Sequence, residues 1–100
     1  MSHQGLVVAG PLGRVELTGS ALASLVVRSA EAVDGVHLRS RRRLNVVVDP
    51  GRVHIEVGVE AAAGALVADV GASVQNSVAH AVTATTGLPA RVDVTVEAIA

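Results

Sequence analysis

From Ala65 to Thr86 the chain keeps apolar residues on one side of successive helical turns, and Gly87 and Pro89 then stop the pattern. Directly after them, Arg91-Val-Asp-Val-Thr-Val-Glu97 alternates strictly between polar and apolar. A period near 3.6 giving way to a period of 2 predicts a helix feeding a half-buried strand. Such a strand needs partners, and a helix with one apolar stripe needs a sheet to cover.

The rest of the chain supplies both. Val53, Ile55, Val57 and Val59 share one face of a strand, and His54, Glu56, Gly58 and Glu60 share the other. Leu44 to Val48 is the strand before it, joined by Asp49-Pro-Gly-Arg52, in which Pro sets one φ and Gly permits a positive one. Val36 to Arg39 reads as a short strand, and Arg14 to Leu17 as the first. Between these two, Leu22, Leu25, Val26, Ala30 and Val33 fall on one helical face, with Thr18 or Ser20 as the cap and Gly35 as the stop. In the second helix the stripe is Val67, Val70, Val74, Val78, Ala81 and Val82.

The order is therefore β-α-β-β-β-α-β. It predicts an α+β two-layer sandwich, with two helices on one face of a mainly antiparallel sheet. Residues 1–12 read as an N-terminal lead-in and 13–100 as a single domain. Val26, Ile55, Val74, Val78 and Val94 are its expected core. The other sheet face should carry Arg14, Glu16, His54, Glu56, Arg91, Asp93 and Glu97, with Val47 as its apolar exception.

Composition narrows the functions. The chain has 100 residues, no Phe, Tyr or Trp, and no Cys. Without rings there is no stacking platform for bases and no aromatic cage for cations. Without thiols there are no disulfides, which fits a reducing compartment. All eight basic residues are Arg, so Schiff-base lysine chemistry is absent, and the formal charge of −1 argues against strong nonspecific nucleic-acid binding. Leu6 to Ala9 is too short for a signal sequence or a membrane span. The expectation is a cytoplasmic protein.

No catalytic, cofactor-binding or metal-binding motif stands out. His3, His37, His54 and His80 lack paired ligands at close spacing, although His37 and His54 could meet across the sheet. Asp69 and Ser73 stand one helical turn apart, which reads as a surface pair, and no nucleophile elbow surrounds any Ser. Gly10-Pro-Leu-Gly13 has the spacing of the backbone-clamping loop of KH domains, but it precedes a strand and contains Pro, so it reads as a turn. Arg39, Arg41, Arg42 and Arg43 form the single charge run; they could contact an anionic partner or simply solvate a turn. Leu6, Val7 and Val8 could pair as a short edge strand, and with Val47 they are the candidate self-association residues.

Several motifs in order resemble the alkaline shock protein family of bacterial general and envelope stress. They are Gly13-Arg-Val-Glu-Leu-Thr18 before a helix, then Val33-Asp-Gly-Val36, then the strand–turn–strand around Asp49 to Arg52. After these come a helix holding Val74-Gln75, then Thr85-Thr-Gly-Leu88 and Val92-Asp-Val-Thr-Val96. The likeness spans about residues 13 to 99. Family members often carry an aromatic residue near the bend before the second helix and long charged tails, and both are missing here. The resemblance implies a non-enzymatic structural or adaptor protein without a cofactor. It would associate with itself and with a membrane-anchored or sister small-domain partner, peripheral to the membrane only through that partner. The alternative from the residues alone is a small nucleic-acid-binding module using the Arg39–Arg43 loop.

Overall fold

A computed structural model of the chain describes residues 3–38, 43–62 and 64–99. The elements are β1 (Leu6–Gly10), β2 (Gly13–Leu17), α1 (Gly19–Glu31), β3 (Val36–His37), β4 (Leu44–Asp49), β5 (Arg52–Ala62), α2 (Val67–Thr86) and β6 (Ala90–Ile99). They form an α+β fold with two helices on a mainly antiparallel sheet.

β5 is the spine. β3 pairs antiparallel with its C-terminal end, from Val36 opposite Ala61, and β4 pairs antiparallel with its N-terminal stretch, from Leu44 opposite Val57 to Asp49 opposite Arg52. These two registers occupy successive stretches of one edge. β6 runs parallel along the other, from Val53 opposite Ala90 to Ala62 opposite Ile99. A parallel neighbour requires a crossover, and α2 is that crossover. In the β4–β5 turn, Gly51 has φ 89°, the positive value the sequence requires there.

α1 begins at Thr18, whose Oγ1 accepts from the Ala21 N–H at 3.1 Å. α2 has no side-chain N-cap and ends at the left-handed Gly87. Valine loses side-chain freedom in a helix, so the stability of α2 comes from what it covers. Val74, Val78 and Val82 are completely buried, four residues apart, in one core with Leu22 and Val26 of α1 and with Leu44, Val46, Val53, Ile55, Val57 and Val92 of the sheet, where α2 lies chiefly along β6 and α1. Polar ties hold these elements in place. The Ser77 hydroxyl donates to the Ser29 carbonyl between the helices at 2.6 Å, and the Gln75 amide donates to the Val92 carbonyl of β6 at 3.1 Å.

The N-terminus differs most from expectation. Residues 3–10 are not a loose lead-in. His3 bridges Val46 in parallel, Gln4 N–H donates to the Val46 carbonyl at 3.0 Å, and Gln4 Oε1 accepts from Val48 N–H at 2.9 Å. This covers the outer edge of β4. The optional strand at Leu6–Val8 forms, and it pairs antiparallel with β2 as a separate two-stranded sheet, from Leu6 opposite Leu17 to Gly10 opposite Gly13. Arg14 and Glu16 therefore leave the polar face of the main sheet. The strand Arg14–Leu17 was legible, but the same alternation serves whichever sheet it joins.

Three smaller differences have local causes. α1 ends at Glu31, and Gly35 (φ 76°) serves the link to β3 instead. Val67 is half exposed because it opens α2, whose first turn is not covered by the sheet. Val94 is partly rather than fully buried because β6 is an edge strand and its inward side chains lie at the core margin.

Candidate interaction surfaces

The helix-free face of the sheet is polar, as the alternation of β5 and β6 requires. Its register creates two like-charge neighbours: Glu56 lies opposite Asp93, and Glu60 opposite Glu97. Directly opposed like charges destabilise a sheet. Neighbouring polar and basic groups relieve them. His54 Nε2 and Asp93 Oδ2 are 2.7 Å apart, Arg91 Nε approaches the same oxygen at 3.6 Å, and Asn45 reaches Glu56 at 3.5 Å. Arg43, from the segment before β4, lies across Gly58 and pairs with Glu97 at 2.7 Å. A Cβ at position 58 would stand 2.6 Å from the Arg43 Cδ, so the bare glycine is what lets that side chain cross β5. The resulting hollow, about 380 Å³, is lined by Arg43, Asn45, Glu56, Gly58, Asp93 and Thr95.

The hydrogen bond with His54 holds the Asp93 carboxyl below its ordinary value of 3.8, with partial desolvation opposing and the Arg91 charge assisting. A lowered carboxylate stabilises the fold above its unfolded pKa, and the contribution disappears as pH falls through the lowered value. The thermal midpoint of the wild type should thus exceed that of Asp93→Asn near neutrality, and the gap should close below pH 3.8. A pH-independent gap in thermal melts would show that the Asp93 contacts contribute by packing alone.

The other histidines are placed apart. His37 pairs with Glu31 at 2.9 Å beside β3, and its register partner is Glu60, six positions along β5 from His54. Six residues of strand span roughly 20 Å, so His37 and His54 do not meet. Each instead has its own carboxylate, Glu31 and Asp93, which linear spacing did not reveal. His3 Nε2 lies 3.0 Å from the Leu44 carbonyl, and His80 is exposed on α2. Asp69 and Ser73 are both exposed on α2. No group of three metal-ligating side chains occurs among the described residues.

Of the basic run, Arg39, Arg41 and Arg42 lie outside the described residues. Arg43 lies within them and is engaged by Glu97.

The second surface is the β1–β2 hairpin. Register puts Leu6, Val8, Gly10, Gly13, Val15 and Leu17 on one face, and Val7, Ala9, Arg14 and Glu16 on the other. Leu6 and Leu17 pack against the core at the base. Further out the apolar face is open: Val8 is 49% exposed, Val15 71%, and Leu12 at the tip is fully exposed. Val7, on the opposite face, is 53% exposed. Residues 6–9 of β1 border a groove whose other wall is Val48, Asp49, Pro50, Thr86 and Leu88. Val47 sits elsewhere, half-buried opposite His54. Of the candidate self-association residues, Val7 and Val8 are thus accessible, Leu6 is partly covered, and Val47 belongs to the polar face. Val15 and Leu12 were not singled out from sequence; the apolar pair Val8 and Val15 emerges only from the hairpin register.

No helix among the described residues is long and apolar enough to cross a membrane. Compared with protein-family models, curated proteins and solved structures, the chain matches none.

Proposed function

We propose that this chain is a non-enzymatic structural or adaptor module of the bacterial envelope or general stress response, working by association with itself and with protein partners. The observation that carries the reading is the hairpin. It presents Val8, Leu12 and Val15 to solvent on one face, away from a helix-and-sheet body whose own core is closed. Apolar residues grouped on one exposed face mark a contact surface. The stress-response assignment rests on the alkaline shock resemblance. The motifs of that resemblance serve structure: Gln75 holds the Val92 carbonyl, and Thr86 Oγ1 donates to the Val82 carbonyl while accepting from Leu88 N–H. The partner implied is a second copy together with a membrane-anchored or sister small-domain protein. The module would act in the cytoplasm and reach the membrane only through that partner.

Sedimentation across a hundredfold concentration range tests self-association. The expected result is a mass that rises with concentration without any added ligand; a monomer throughout would overturn the reading.

Replacing Arg41, Arg42 and Arg43 together with Ser separates the adaptor from a nucleic-acid module. The Arg43–Glu97 pair is half exposed at both ends, so its loss should cost less than about 1 kcal/mol. The thermal midpoint should barely move, and assembly should persist. Salt-sensitive RNA binding by the wild type that the triple variant loses would put the nucleic-acid reading in its place.

A further inference from the structure

The free edge of the hairpin is β2. Its inner edge pairs with β1, β1 borders the groove against the body, and no strand among the described residues pairs with the other side of β2. A two-stranded ribbon is marginal by itself, and an unpaired edge is a template for another strand. What could pair there is decided by the strand's own sequence and hydrogen-bonding phase.

Gly10 and Gly13 close the two-residue loop as a hydrogen-bonded pair, and pairs then alternate along the ladder. Val15, like Gly13 and Leu17, therefore spends its N–H and C=O on β1. The N–H and C=O groups of Arg14 and Glu16 point outward to the free edge. The two side chains share a face, both are exposed, and neither has an ion-pair partner among the described residues.

From this we infer that β2 pairs antiparallel with β2 of a second copy, about a two-fold axis at Val15. The inference rests on the self-association reading above and specifies its contact. In this register Arg14 of each chain lies opposite Glu16 of the other, as a hydrogen-bonded pair, so backbone and side-chain charges are satisfied together. Val15 faces its own counterpart as a non-hydrogen-bonded pair, the type with the closest side chains. Both Val15 side chains then fall on the same face as Val8, and the two ribbons become one four-stranded sheet with a continuous valine strip. Of the other symmetric registers with the correct phase, those centred on Arg14 or Glu16 set like charges against each other, and those centred on Gly13 or Leu17 overlap by only one residue of each strand. The five-residue strand is thus self-complementary in charge in one register, as a two-fold contact requires.

The test is charge exchange read by sedimentation velocity. Arg14→Glu places Glu opposite Glu twice, and Glu16→Arg places Arg opposite Arg twice. Each variant alone should dimerise roughly tenfold or more weakly than wild type. Mixed together, the two variants restore both opposite-charge pairs, so the mixture should form a heterodimer tighter than either homodimer. The double variant Arg14→Glu/Glu16→Arg should recover wild-type assembly. Glu16→Pro removes an outward N–H while leaving the β1 ladder intact, and should abolish pairing irrespective of charge. All four should keep the wild-type thermal unfolding of the body, because position 14 and position 16 lie outside the core. Wild-type assembly that none of the exchanges alters would overturn the β2 contact while leaving self-association standing. A wild-type monomer at every concentration would remove both. Independent weakening in the single variants without recovery in the mixture would also overturn the two-fold register.

Discussion

Val74→Asp should leave no cooperatively folded protein at 25 °C. Val74 is completely buried at the centre of the α2 stripe, one turn before Val78 and two before Val82. Its surroundings are the apolar side chains of α1, β5 and β6, and the one buried polar residue among the described ones is the neutral Ser29. A carboxylate placed there either stays charged and unpaired or takes up a proton; both cost several kcal/mol, on top of about 1.5–3 kcal/mol of lost apolar burial. A domain of this size has ~5–15 kcal/mol in total. The cost falls on both layers at once, since α2 contacts the sheet and α1 together. Circular dichroism should lose its thermal transition, whereas Val67→Asp, half exposed on the same helix, should change the midpoint little. A soluble Val74→Asp protein with an unchanged midpoint would contradict the two-layer packing.

That contrast between Val67 and Val74 marks how far the sequence reaches. Periodicity identifies a face, and both valines lie on the apolar stripe of α2. It does not say where along the helix the sheet ends. The same holds in β6, where Val92 is nearly buried and Val94 only partly, because the strand lies at an edge. β5 was the most legible element: Val53, Ile55, Val57 and Val59 alternate, and each is buried. A central strand with a neighbour on each edge gives the alternation its full expression. Ser29 shows the opposite case. It is buried and polar, and tolerable because its hydroxyl donates to the Val26 carbonyl one turn back, a partner no composition argument locates.

The interaction surfaces were less legible than the core, for a physical reason. The polar face of β5 and β6 was visible as alternation, but the His54–Asp93 and Arg43–Glu97 pairs depend on the parallel register of those strands. The apolar face of the hairpin depends on Val8 and Val15 meeting across a ladder. Each strand alone reads as a mixed segment. Leu6, Val7 and Val8 suggested a donor strand, and its intramolecular pairing with β2 moves the open edge to the neighbouring residues.

The crossing of the N-terminal segment over the start of α1 provides the other large effect, with a sign that separates tertiary contact from helix propensity. Gly19 is the first residue of α1, a position where Ala would ordinarily stabilise the helix by up to about 1 kcal/mol. Here a Cβ would collide with the His3 carbonyl oxygen, would stand 2.8 Å from the His3 carbonyl carbon, and would approach Gln4 C at 3.3 Å. From the other side, a Cβ on Gly5 would collide with the Leu17 carbonyl oxygen and stand 2.8 Å from the Gly19 nitrogen. Backbone meets backbone at both positions, so no side-chain rotation relieves the contact. Gly19→Ala should push residues 3–5 off the outer edge of β4. Three hydrogen bonds go with them: Gln4 N–H to Val46, Val48 N–H to Gln4 Oε1, and His3 Nε2 with the Leu44 carbonyl. At roughly 0.5–1.5 kcal/mol each, the loss is about 2–4 kcal/mol and outweighs the gain in helix propensity. Hydrogen exchange should report it locally, with the Gln4 and Val48 amides exchanging at least tenfold faster while the Val74 and Val78 amides keep the protection of the remaining fold. Gly5→Ala should give the same pattern, because it opens the same crossing from the N-terminal segment itself. A Gly19→Ala protein that melts higher than wild type, with Val48 still protected, would show that the N-terminal segment does not lie across α1.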